Sequence, residues 1–218
     1  VREGRRIEGA NFFTANDAIP VTIGSRPPIH QSSITASHYA LDSHAVRKRE
    51  EGRVHLDGFL SYPSAVYTVP YGVMVPKEVG NLLLPVPVSG SHIGFSTLRM
   101  EPCWMAMGQA AGIASALSID GKVKVQNIDL SRLQDKLVDQ KATLMYFKDV
   151  DYTSPHFRMV QYLGLRGYLP EWTARLQEPV DMATLTAWKK LSGKDLPGIE
   201  AGKTTRLVAL EMIYRKIK

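Results

Sequence analysis

His38, Asp42 and His44 fall within one short stretch, and His92 could join them in space. Histidine moves protons near neutral pH, and a carboxylate beside it fixes its tautomer and raises its basicity. The cluster therefore suits a reaction that removes a proton. His44 or His92 would be the base, with Asp42 and His38 completing the set. Tyr39 and Tyr71 could position a substrate hydroxyl. The same Asp-x-His pattern also fits a loop cap with an ordinary hydrogen bond. No metal is expected, because the spacing of His38, Asp42 and His44 is not a zinc pattern. A serine hydrolase is disfavoured, since the chain has no G-x-S-x-G elbow. Cys103 is the lone cysteine, so neither a disulfide nor a cysteine-built metal site is expected within the chain.

Several elements must position these residues. Arg2 to Glu8 reads as helical, and Ser32 to Tyr39 as a strand. Glu51-Gly52 and Asp57-Gly58 are turn signals flanking Arg53 to Leu56. Tyr67 to Val75 alternates, with Pro70 marking an edge or a kink. Asn81 to Val88 is an apolar run of strand length and fits a strand buried on both faces. After a Ser89-Gly90-Ser91-His92 turn, Glu101-Pro102 opens a helix to about Ser118, which Asp120-Gly121 stops.

That helix start offers backbone N–H groups and a partial positive charge, which suit a phosphate or an electron-rich ring. Gly108 and Gly112 lie on one helix face, where a backbone or a flat cofactor can come close. A core helix packed tightly on a sheet has the same pattern. A further helix spans Asp129 to Gln140, capped by Ser131 or Asp129, with Leu130, Leu133 and Leu137 on one face.

The ordered set Asn81 to His92, Ser96 to Pro102 and Gly108-Gln109-Ala110-Ala111-Gly112 resembles the C-terminal signature of FAD-dependent oxidoreductases. It resembles in particular a bacterial branch often labelled "xanthan lyase", a name that a flavin fold does not justify. Ser37 to His44, Val69-Pro70-Tyr71, Val75-Pro76-Lys77 and Arg2 to Arg6 match that branch in order. Many relatives have Gly-Arg where this chain has Val86-Pro87. The resemblance covers roughly residues 1 to 145. It implies an FAD cofactor and hydride transfer from a small or carbohydrate-like substrate. It also implies a flavin-side wall of Ser89, His92, Ser96, Arg99, Met100 and Glu101. The family's dinucleotide unit carries a G-x-G-x-x-G turn after a strand, and this sequence has none. The missing N-terminal FAD-binding part, or a complementary chain, is therefore an expected partner, and the chain reads as a fragment.

Residues 147 to 218 resemble a single S-layer-homology-like unit, from Phe147-Lys148-Asp149-Val150 through Leu163 to Leu169 and on from Pro179. Ser154-Pro155 opens a short helix, Asp181 caps another carrying Leu185, Trp188 and Leu191, and Thr204 or Thr205 caps the last. An exposed Trp172 beside Tyr168 would suit stacking on a sugar. The alternative function is thus a cell-surface or polysaccharide-binding module without redox activity.

The expected fold is α/β. It comprises a partial FAD-binding, Rossmann-like flavoprotein domain (1–146) lacking its N-terminal dinucleotide βαβ unit, then a small all-α domain (147–218). The net charge of +6 is spread along the chain, so no nucleic-acid partner is expected. No apolar run has the length of a membrane span. The compartment stays open, with a periplasmic or secreted location favoured over the cytoplasm.

Overall fold

The computed structural model describes residues 4–44, 51–52 and 59–218. Arg53 to Leu56 and the Asp57-Gly58 turn lie outside the described residues. The chain divides into two compact units, Val1–Met145 and Tyr146–Lys218. Its class is mixed α/β, with six α-helices and two small sheets among the described residues.

In the first unit, β1 (Ser33–Ser37) pairs antiparallel with β4 (Tyr67–Pro70), Ser37 opposite Tyr67 and Ser33 opposite Pro70. β2 (Leu41–Ser43) pairs antiparallel with β3 (Leu60–Tyr62), Asp42 opposite Ser61. All four residues of β4 are buried. Proline has no N–H to continue a ladder, so the strand expected to reach Val75 stops at Pro70. A buried 3-10 turn follows, Tyr71–Met74.

Asn81 to Val88 is not a strand. Asn81 takes a left-handed backbone (φ 56°), and Leu82 and Val86 are exposed. Pro85 and Pro87 remove two donors from the run, and composition alone hid that cost. Nor is the stretch before residue 9 helical where it is described. Residues 7–13 run extended between two neighbours and bond to both. On one side Ala10 N–H donates to Val75 O and Asn11 N–H to Gly72 O. On the other, Ile7 N–H donates to Pro87 O, Phe13 N–H to Ser89 O and Ser91 N–H to Phe13 O. Backbone groups committed outward cannot make the i to i−4 bonds of a helix.

α1 (His92–Leu98) starts at the last residue of the expected Ser89–His92 turn and is a helix the sequence did not announce. Ser91 caps it, its hydroxyl accepting from Gly94 N–H at 3.0 Å. Gly94 is required by closeness rather than by φ. A Cβ there would overlap the Phe13 carbonyl and come within 2.8 Å of Thr14 Cα. Gly94→Ala should therefore cost about 1–3 kcal/mol, although alanine is the better helix former by about 1 kcal/mol. A denaturant midpoint no lower than that of the natural protein would contradict this.

α2 (Glu101–Gly121) is longer than expected and ends at Lys122, which takes the left-handed backbone (φ 50°). Its inner face, from Cys103 through Met107, Ala110 and Ala114 to Leu117, packs on β1 and on α3 (Leu130–Asp139). Asp129 caps α3, accepting from Ser131 N–H and Arg132 N–H at 2.9 and 3.2 Å. Gln134 ties α3 to the start of β1 through Gln31 O and Ser33 O.

The second unit is built from α4 (Phe157–Leu165), α5 (Met182–Ser192) and α6 (Arg206–Ile217). Asp181 caps α5 through Thr184 N–H at 2.7 Å, and Thr205 rather than Thr204 caps α6. Leu185 and Trp188 are buried, whereas Leu191 on the same helix is exposed. Among the described residues, no helix is long and apolar enough to cross a membrane.

Candidate active site

β2 packs against α1. In a strand, neighbouring side chains take opposite faces. Leu41 and Ser43 are buried, and Asp42 between them points the other way. Two residues on, His44 shares the Asp42 face. Its Nε2 lies 3.3 Å from Asp42 Oδ2. The Tyr39 hydroxyl donates to the same oxygen at 3.4 Å.

Arg99 follows the end of α1 and is only 4% exposed. Its Nη2 donates to Asp42 O at 2.6 Å and to Asp42 Oδ2 at 3.1 Å. A buried cation needs such partners, and the helix C-terminus adds a favourable partial negative charge. The arrangement is anchored inside by Arg99 and opens outward at His44, whose side chain is 41% exposed. The Phe59 ring meets the His44 ring edge-on at 5.6 Å between centroids, and Phe59 is itself exposed.

A second, buried layer supports the first. The Tyr39 carbonyl accepts from the hydroxyls of Thr97 and Ser64. The Thr97 hydroxyl also pairs with the Tyr67 phenol at 2.8 Å. Burial holds that phenol well above the ordinary tyrosine range. Burial likewise pushes the Cys103 thiol up to about 11. Cys103 therefore stays a thiol at neutral pH and is a poor nucleophile.

The other candidate residues are distributed as follows. His38 is exposed and takes no part in the hydrogen bonds around Asp42. His92 opens α1 whereas Arg99 follows it, so the helix sets them about 10 Å apart along its axis. Ser96 is buried and bonds within its own helix, to Ile93 O. Met100 is the N-cap position of α2 and gives it no side-chain bond, and Glu101 is the exposed first residue of α2. Tyr71 lies in the buried 3-10 turn that follows β4. Its hydroxyl is buried on Val125 O at 2.9 Å. Among the described residues, no group of three or more metal-binding side chains exists.

Sequence reasoning missed Phe59, Thr97 and Tyr67. Thr97 and Arg99 lie two apart in one quoted motif, but nothing local says that both reach back to residues 39–42. Ser43 Oγ, Ser89 Oγ and Trp104 Nε1 are buried without a hydrogen-bond partner among the described residues.

A family model described as FAD dependent oxidoreductase matches residues 1–137. No curated protein and no solved structure matches the chain. The matched span contains every residue of the Arg99–Asp42–His44 arrangement and ends before the second unit begins.

Proposed function

We propose, from the premise that this chain belongs to the FAD dependent oxidoreductase family, that it forms one side of a flavin site and removes a proton from a small hydroxylated, carbohydrate-like substrate. FAD is the cofactor the family indicates. The residues present fit it in one concrete respect. A buried hydroxyl without a partner is costly, and the orphaned Ser89 Oγ lies in the segment assigned to the flavin wall. Ser89, His92, Ser96, Met100 and Glu101 would form that wall, with the start of α2 favouring negative charge on the ring.

Bound FAD would supply the hydride acceptor for a substrate carbon. The chain's own task is the accompanying proton. His44 takes it from the substrate hydroxyl, and Asp42 holds the imidazole in place. The exposed Phe59 face beside His44 suits the apolar side of a sugar ring. The observation that carries the reading is the paired His44 and Asp42, anchored by a buried arginine, inside the family-matched span.

Completion of the site by a dinucleotide-binding part, in cis or as a complementary chain, belongs to the same reading. The outer face of α2 supports it. No charged side chain lies between Glu101 and Asp120, and helices apolar all round are normally covered all round. A Cβ on Gly108 or Gly112 would meet nothing within 4 Å. Met105 and Ile119 on that side are 75% and 76% exposed. Each interior glycine costs about 1 kcal/mol against alanine, and no contact among the described residues requires either one.

The test is the visible spectrum of the full-length natural protein, with denaturation to release flavin, followed by anaerobic addition of a panel of aldoses and small polyols. Stoichiometric FAD and bleaching by a member of the panel are expected. Folded protein that takes up no FAD when offered it would refute the reading. The alternative, a polysaccharide-binding second unit, would have to use the exposed Tyr146 and Tyr152. Tyr168 and Trp188 are both buried, and Trp172 is half-buried.

A further inference from the structure

The resemblance puts Arg99 on the flavin wall, and its Nη2 is hydrogen-bonded to Asp42. We infer that Arg99 is a positioning residue that acts through Asp42 to select the tautomer of His44. The catalytic consequence rests on the proposed function; the geometry does not. Nη2 of a guanidinium carries two hydrogens. One goes to Asp42 O and one to Asp42 Oδ2. Gripping backbone and carboxylate from one nitrogen fixes the Asp42 rotamer on the β2 face. Arg99 is itself held in the buried layer between the end of α1 and β2.

The fixed oxygen then acts on His44. A carboxylate oxygen accepts, so the facing Nε2 must carry the ring hydrogen. That leaves Nδ1 with the lone pair. A neutral imidazole without such a neighbour divides between two tautomers, and only one has its basic nitrogen turned from Asp42. A carboxylate that orients an imidazole sets which nitrogen can work. Arg99 therefore determines, through Asp42, which His44 nitrogen receives the proton.

The test reads the ring nitrogens of His44 by 15N NMR in the full chain, alongside FAD content and the rate of flavin reduction. The natural protein should show a single Nε2–H tautomer. Arg99→Met should move His44 towards a mixture, keep FAD at its natural stoichiometry and slow reduction at least about tenfold. Arg99→Lys, which restores a donor, should recover part of the single tautomer. An unchanged tautomer in Arg99→Met overturns the inference. So does loss of FAD that alone accounts for the slower reduction, which would make Arg99 a cofactor contact. Should Arg99→Met fail to fold, Asp42→Asn cuts the same link from its other end, and an unchanged tautomer there overturns the inference equally. A protein that takes no FAD at all sinks the proposed function, while the nitrogen shifts still decide the role of Arg99.

Discussion

His44→Ala should slow reduction of the bound flavin by the best member of the sugar panel about 10²–10⁴-fold with FAD content unchanged. The magnitude follows from what is removed. Among the described residues of the matched span, His44 is the imidazole that is paired to a carboxylate and also keeps an exposed ring. His30 pairs with Asp17, the last residue of a 3-10 turn (Ala15–Asp17), but its side chain is only 22% exposed. The alanine variant keeps the Arg99–Asp42 link intact, so the scaffold should not loosen. Anaerobic stopped-flow at saturating sugar separates the effect on reduction from any effect on binding. A rate within threefold of natural, with full FAD loading, would remove His44 from the mechanism.

The largest stability effect should come from Trp188→Ala in the second unit, a loss of about 3–5 kcal/mol. Trp188 is 1% exposed and is the largest fully buried side chain. Its indole N–H donates to Tyr168 O at 2.8 Å, so truncation also leaves a buried carbonyl without its partner. The Arg206 guanidinium lies 5.3 Å from the indole centre and is itself buried, with Nε donating to Ala174 O. One substitution therefore opens a cavity, orphans an acceptor and removes a cation's aromatic neighbour. Hydrogen exchange of the α4, α5 and α6 amides should report it. Val208→Ala on the exposed side of α6 should stay within about 0.5 kcal/mol. Equal protection in the two variants would show that Trp188 does not organise this core.

Helix ends were the most legible part of the fold, because a cap is a local bond. Asp181 stands three residues before Thr184, and its carboxylate accepts the Thr184 N–H. Asp129 was one of two candidates for α3, and it prevails because its oxygen reaches both Ser131 and Arg132 N–H. The misread segments failed for a shared reason. Asn81 to Val88 has the apolarity of a buried strand but lacks the donors. Residues 7 and 8 look helical until their backbone groups are claimed by residues far along the chain. The candidate site was legible in its histidines and Asp42 but not in its anchor. Arg99 and Asp42 are 57 residues apart. No periodicity or motif encodes a bond over that distance, and only the packing of β2 on α1 creates it.

The threading of residues 7–13 between residues 72–77 and 87–91 has a consequence for how the chain is born. Its hydrogen bonds join residues separated by some 60 to 80 positions. At ribosomal speeds of about 5–20 residues per second, the segment waits roughly 4–16 s for its second neighbour to emerge. Phe13, buried in the folded unit, is without that cover throughout the wait. High contact order of this kind slows closure, since a long loop must be immobilised before its bonds repay the entropy. The first unit thus cannot close until residue 91 has left the exit tunnel, and only then is the segment 7–13 bonded on both sides.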